Sequence, residues 1–211
     1  MKILFIGFGN VAKEMARIFI ESDLYPALNL KPAVIGIFTG RHGGLENKEG
    51  LDLKKVLDEL SLNDRLTADE DMLSSLTPLE AAKRLDYDVL VELSALSIEG
   101  RGEPAVSHIR AALERGRSVA SANKGPVSFN YRELKELAGK NGALYLFESS
   151  VMDGAPRFNF CSRCMKGASV KGFSGILNGT TNFILSHMEK GGSLEEGIKM
   201  AQEAGIAEAD P

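Results

Sequence analysis

Near the N-terminus the chain runs Lys2-Ile3-Leu4-Phe5-Ile6 straight into Gly7-Phe8-Gly9-Asn10-Val11-Ala12. No other feature narrows the possible folds as much. An apolar run of this length fits a strand buried on both sides, and the G-x-G-x-x-A that ends it opens a helix. The first glycine permits the tight turn and the second lets a phosphate approach the backbone. The small Ala12 lets the helix pack close to the strand. The free N–H groups and positive dipole end of that helix then favour a pyrophosphate. The competing reading is a tight strand-to-helix turn that holds no ligand. On the first reading, Gly7, Phe8, Gly9, Asn10 and Val11 form a dinucleotide-binding turn.

The rest of the first two thirds supports such a fold. Residues 11–22 place Val11, Met15, Ile18 and Phe19 near helical spacing. Apolar runs recur at 33–38, 88–93, 118–120 and 143–147, with helical patterns at 103–115 and 131–140. The last two patterns stop at Gly116 and Gly142, as helix C-termini do. Strands alternating with helices over short connections predict an α/β fold, a doubly wound parallel sheet with helices on both faces. The Leu-rich, charged stretch 41–87 is expected to form one or two short helices. Beyond residue 150 the texture changes. A glycine-containing strand is expected at 168–177 and helices at 181–190 and 194–204, the second capped by Ser193 with Glu196 three residues on. The expected division is a dinucleotide-binding domain over 1–130 and part of an α+β substrate and dimerisation domain over 131–211.

Composition excludes several function classes. The 211 residues are 44% hydrophobic and carry a net charge of −4 with both signs scattered, so no basic patch invites nucleic acid. No apolar run approaches the roughly 18 residues of a membrane span. The N-terminal run is too short for a secretory signal, and a cytoplasmic location is expected. Cys161 and Cys164 form a C-x-x-C. It reads as two reduced thiols one helical turn apart, as a redox pair given a thioredoxin-like context, or as half a zinc site given a second ligand pair.

Two further positions bear on chemistry. After the run 33–38 comes Phe38-Thr39-Gly40-Arg41-His42-Gly43, with no carboxylate to grip a ribose diol. Arg41 stands where a guanidinium can pair with a 2′-phosphate, which favours NADP over NAD; the alternative is a solvated loop arginine. Lys124 follows the run 118–120 within Asn123-Lys124-Gly125-Pro126. In open α/β sheets the ligand crevice lies outside the carboxyl ends of the strands, so Lys124 is expected to face the nicotinamide end of the cofactor. A positive group there can stabilise charge developing on a carbonyl oxygen, and a lysine can also donate a proton. The alternative is a surface lysine at a helix start.

The sequence resembles the homoserine dehydrogenases nearly end to end. The resemblance rests on G-F-G-N-V-A at 7–12, G-E-P-A-V-S-H-I at 102–109, A-N-K-G-P at 122–126, E-S-S-V-M-D-G-A-P at 148–156, G-I-L-N-G-T-T-N-F-I-L at 175–185 and A-x-x-A-G-I-A-E-A-D-P at 201–211. Such proteins interconvert L-aspartate 4-semialdehyde and L-homoserine with NAD(P)H, in threonine and methionine biosynthesis. The resemblance implies a catalytic Lys124, nicotinamide contacts from Ser94, Ala95 and Asn123, and substrate contacts from Gly179, Thr180 and Glu208. It also implies a sodium ion held by Glu148 with the carbonyls of Val151, Asp153 and Ala155, and a homodimer. The family pattern continues past Asp210-Pro211 into an acidic stretch and a second lysine assigned to proton transfer, so the chain is expected to be C-terminally truncated. A non-catalytic NAD(P)-binding regulatory module is the alternative. The motifs at 148–156 and 175–185 argue against other dehydrogenases of the same fold.

Overall fold

The computed structural model describes residues 1–63, 66, 70–152 and 154–207. It divides into two compact units, Met1–Ser150 and Val151–Pro211. Residues 131–150, expected to open the second domain, pack with the first unit.

The first unit is built on a seven-stranded sheet. Its elements in chain order are β1 (Lys2–Ile6), α1 (Asn10–Glu21), α2 (Leu24–Ala27), β2 (Ala33–Phe38), β3 (Gly44–Glu46), α3 (Leu53–Asn63), β4 (Leu73–Ser74), α4 (Pro78–Arg84), β5 (Val89–Glu92), α5 (Ala105–Glu114), β6 (Ser118–Ser121), α6 (Lys124–Lys140) and β7 (Tyr145–Leu146). The strand order is β4-β3-β2-β1-β5-β6-β7. β1 pairs in parallel with β2 on one side and β5 on the other, and β5, β6 and β7 continue in parallel. The sheet is not wholly parallel as the sequence led one to expect. β3 and β4 add as an antiparallel edge. Strands of three and two residues, made by pairing along an exposed edge, leave almost no periodic trace in sequence.

Alternation along β1 explains the layering. Ile3 and Phe5 join Val34, Ile37 and Val91 in one core, under Ala12 and Ala16 of α1 and Val56 and Leu60 of α3. Leu4 and Ile6 join Phe38 and Leu90 in the other, under Ala81, Ile109, Leu134 and Ala138 of α4, α5 and α6. Both faces are covered, as parallel sheets require. Gly116 (φ +68°) and Gly142 (φ +66°) follow α5 and α6 in the left-handed conformation expected of helix ends. α6 begins seven residues earlier than its periodicity suggests and is kinked at Asn130. Asn123 caps it by accepting from the Gly125 N–H. Pro126 is tolerated because first-turn N–H groups have no intrahelical partner.

The second unit holds α7 (Arg157–Asn159), a π turn over Phe160–Cys164, α8 (Gly179–Glu189) and α9 (Leu194–Glu203). α8 and α9 pack through Gly197, where a Cβ would lie 3.2 Å from Ile184 Cγ2. The capping box at α9 is formed: Ser193 Oγ accepts from the Glu196 N–H, and Glu196 accepts from the Ser193 N–H. The strand expected at 168–177 is absent. That segment is irregular and exposed, with no ladder partner among the described residues, and a strand exists only by its pairing. Cys161 and Cys164 are both exposed free thiols in the π turn. Among the described residues no helix is long and apolar enough to cross a membrane.

Candidate functional site

Strand order reverses at β1. The chain goes to β2 on one side and returns to β5 on the other, so the carboxyl ends of β1 and β5 part to leave a crevice. A cleft of about 740 Å³ opens there. Gly7, Phe8 and Gly9 floor it, the turn Thr39–His42 and Thr77–Leu79 lie along one side, and Ser94, Ala95, Pro104 and His108 along the other.

Gly7 is fixed by sterics. It has φ +86°, and a Cβ on it would lie 2.3 Å from the Leu93 carbonyl oxygen. Its N–H donates to the Phe38 carbonyl at 2.8 Å, which ties the turn to the end of β2. Around Gly9 the opposite holds: a Cβ there would meet nothing within 4 Å, and no side chain caps α1. No acid sits in the first turn of α1. The turn thus combines backbone pressed against β5 with open, uncapped N–H donors, a cradle suited to an anion. Asn10 and Val11 sit exposed in the first turn of α1, outside the cleft lining. Phe8 lines the cleft, yet the residue is buried, packing edge-on against Phe5 at 5.7 Å. Arg41 is exposed on the β2–β3 turn, lines the cleft, and has no ion-pair partner among the described residues.

The opposite wall is held by polar contacts. Asn123 donates from its side-chain amide to the Ser94 carbonyl at 3.1 Å and from its N–H to Ser121 Oγ at 3.1 Å. Gly102 and Gly125 stand back to back, and a Cβ on either would lie 2.8 Å from the other's backbone. This contact joins the GEPAVSHI and ANKGP motifs. Lys124, the first residue of α6, is exposed at the carboxyl end of β6, outside the cleft-lining set, with no hydrogen-bond or ion-pair partner among the described residues.

Glu92 escaped the sequence reading. It is wholly buried at the end of β5. It accepts from the Ser94 N–H at 3.2 Å, from the Ser94 hydroxyl, and from the Ser121 hydroxyl at 3.5 Å. His108 Nδ1, also buried, lies 3.6 Å from it, just beyond hydrogen-bond reach. The buried Tyr145 hydroxyl has no hydrogen-bond partner among the described residues, and its pKa is raised by burial first and by the Glu92 charge second. A second carboxylate, set after three apolar residues within the run DVLVEL, was the available signal.

The remaining expected residues fall elsewhere. Glu148 is half-buried in a 3-10 turn, Glu148–Ser150, that closes the first unit. Val151 and Ala155 belong to the second unit. Asp153 and Glu208 lie outside the described residues. Gly179 and Thr180 open α8, but the cap is Asn178, which accepts from the Thr181 N–H at 2.8 Å. The Thr180 hydroxyl donates to the Ile206 carbonyl. Among the described residues, no group of three or more His, Cys, Asp or Glu side chains could hold a metal ion.

The sheet, its switch point and the glycine turn define a Rossmann-type α/β protein. The family model for homoserine dehydrogenase matches residues 156–211. The whole chain is similar to a homoserine dehydrogenase of Methanocaldococcus jannaschii (34% identity, 63% of the relative covered) and to an NAD(+)-dependent homoserine dehydrogenase of Pseudomonas canavaninivorans (35%, 60% covered). A solved structure of a hyperthermophilic archaeal homoserine dehydrogenase mutant in complex with NADPH superposes over the whole chain at a TM-score of 0.84, with 30% identity and 63% of that chain covered. The chain is thus similar over its whole length to homoserine dehydrogenases. It spans about three fifths of the length of the curated relatives it matches.

Proposed function

We propose that this chain supplies the cofactor-binding part of an NAD(P)-dependent homoserine dehydrogenase interconverting L-aspartate 4-semialdehyde and L-homoserine. One observation carries the reading. The cleft at the switch point joins an uncapped glycine cradle to Arg41, which has no ion-pair partner among the described residues, at one end and to the strand-end turns at the other. The fit to a dinucleotide rests on the open space at Gly9 and the free first-turn N–H groups of α1.

In this reading the backbone of Gly7–Val11 holds the pyrophosphate and Arg41 the adenosine end, where its charge favours a 2′-phosphate and hence NADP. Ser94, Ala95 and Asn123 flank the nicotinamide, which when bound supplies or accepts the hydride. Lys124 follows β6 at the same carboxyl end of the parallel strands as the glycine turn that follows β1. Its exposed ammonium is available to the carbonyl oxygen on which negative charge develops. Gly179, Thr180 and Glu208 contact the amino-acid substrate. Glu148 with the carbonyls of Val151, Asp153 and Ala155 holds a monovalent cation, taken as sodium. Residues 1–150 are the cofactor domain and 151–211 the start of the substrate and dimerisation domain of a cytoplasmic homodimer.

The test is a spectrophotometric assay of the full-length protein with the semialdehyde and NADPH or NADH, in sodium and in choline salts. The expected result is oxidation of NADPH in preference to NADH, faster with sodium. Lys124→Ala should lower kcat at least ~100-fold, and Arg41→Ala should raise KM for NADPH by about 10- to 100-fold, the worth of a charge-assisted contact. Failure to oxidise either coenzyme ends this reading.

A further inference from the structure

A buried carboxylate is unfavourable unless donors surround it. Glu92 has no exposure and no cation in hydrogen-bond contact. Its hydrogen bonds come from the two turns that leave the sheet beside the cleft. Ser94, immediately beyond β5, supplies an N–H and a hydroxyl, and Ser121, at the end of β6, supplies a hydroxyl. Ser121 Oγ in turn accepts the Asn123 N–H, and Asn123 reaches back to the Ser94 carbonyl. The contacts therefore close a ring, Glu92–Ser121–Asn123–Ser94–Glu92. Asn123 also caps α6, whose first residue is Lys124.

We propose that Glu92 is a positioning residue, resting on the dehydrogenase reading above: its carboxylate sets the Ser94–Ala95 turn and, through Ser121 and Asn123, the start of α6 that carries Lys124. The polarity is specific. The Ser121 oxygen takes the Asn123 N–H on a lone pair, so its own hydrogen must go to an acceptor, and Glu92 Oε2 is that acceptor. A glutamine there keeps the volume and one acceptor oxygen, which the two Ser94 donors occupy. It then presents an NH₂ to Ser121, leaving the serine hydrogen without a partner. Small misplacements of a reacting group lower rate far more than they lower binding.

The experiment uses full-length protein and the variants Glu92→Gln, Ser121→Ala and both together. The expected result for Glu92→Gln is a kcat lower by about 10- to 100-fold with the NADPH Kd changed less than about twofold. Ser121→Ala, a one-atom deletion that should fold, is expected to lower kcat about 3- to 10-fold, and the double variant to be no slower than Glu92→Gln, because both act through one ring. Amide exchange at Ser94 and Asn123 should quicken about tenfold or more in either single variant while exchange in α9 is unchanged. Wild-type kcat and wild-type exchange in Ser121→Ala would overturn the proposal, as would additive losses in the double variant or a parallel fall in cofactor affinity. Exchange needs no turnover. A wild-type protein that reduces no semialdehyde therefore defeats the dehydrogenase reading, while the coupling of Glu92 to the turns is still decided.

Discussion

The two units obtain order in different ways. In Met1–Ser150, apolar side chains from the central strands are buried on both faces of the sheet, and Phe5, Leu4, Ile37 and Leu90 have no exposure. In the second unit, Ala201 is the single buried hydrophobic side chain among the described residues, while Phe173, Ile176, Phe160 and Val170 are more than half exposed. Yet α8 and α9 are as well formed locally as any helix of the first unit, with side-chain caps from Asn178 and Ser193. The difference teaches that capping and periodicity are enough to define a helix. A packed core needs a second layer to receive its apolar face.

A pair of glycine replacements should separate the two units most strongly. Gly7 and Gly205 both have positive φ, +86° and +69°. At Gly205 a Cβ meets nothing within 4 Å, whereas at Gly7 it would run into the Leu93–Ser94 peptide, 2.3 Å from the Leu93 carbonyl oxygen. Gly205→Ala is expected to lose only the left-handed penalty, about 1–2 kcal/mol, and Gly7→Ala about 4 kcal/mol or more together with cofactor binding. Denaturant melts of the 211-residue chain read both values. Near-equal losses would mean that the turn yields.

Next come two phenylalanines. Phe5→Ala should destabilise by about 3–5 kcal/mol, because the cavity lies inside a closed core. Phe173→Ala, at 85% exposure, should change the melt by less than ~0.5 kcal/mol. A large effect at Phe173 would show that the second unit hides apolar contacts in solution.

Tyrosine titration separates the units spectroscopically. The chain has four tyrosines and no tryptophan, and all four, Tyr25, Tyr87, Tyr131 and Tyr145, lie in the first unit. Burial pushes the Tyr87 phenol up to about 12 and raises that of Tyr145 as well. A raised folded-state pKa means stabilisation that is complete below the ordinary value near 10 and is lost as pH rises through the folded value. Alkaline melting followed by near-UV tyrosine absorbance should therefore report loss of the first unit above about pH 10. Helical circular dichroism from α8 and α9 has no tyrosine to couple to.

The smallest effect tests what the units share. Glu80 and Glu196 each close a capping box, with Thr77 and Ser193, and the backbone hydrogen bond to that partner holds each carboxyl below 4.5. Since the folded pKa is depressed, the stabilisation is present above 4.5 and fades as pH falls through the lower folded value. Carboxyl NMR titrations should show both glutamates protonating below 4.5, and a Gln at either position should remove that acid sensitivity. Both carboxyls are exposed, so the melts should move little.

How much of this was legible depends on how far apart the determining residues stand. The glycine turn, the amphipathic α1, the ends of α5 and α6 at Gly116 and Gly142, and the Ser193–Glu196 box involve groups within a few residues of one another. Residue type at short spacing is enough to specify them. The first seven residues of α6 were missed because Gly125-Pro126 reads as a turn unless Asn123 is known to cap it. The antiparallel edge β3–β4, the missing strand at 168–177 and the site ring through Glu92 were decided by residues far apart in sequence.

Local sequence therefore specified most of the longer helices, the parallel heart of the sheet and the glycine turn at its switch point. Long-range packing set which edge strands exist, placed Phe8 in the core behind the cleft it lines, and linked the buried Glu92 to the turn after β5 and, through Ser121 and Asn123, to the start of α6. The physical reason is range. Dihedral preferences and caps act over three or four residues, whereas a ladder or a buried hydrogen-bond ring forms only once the folded chain has brought its members together.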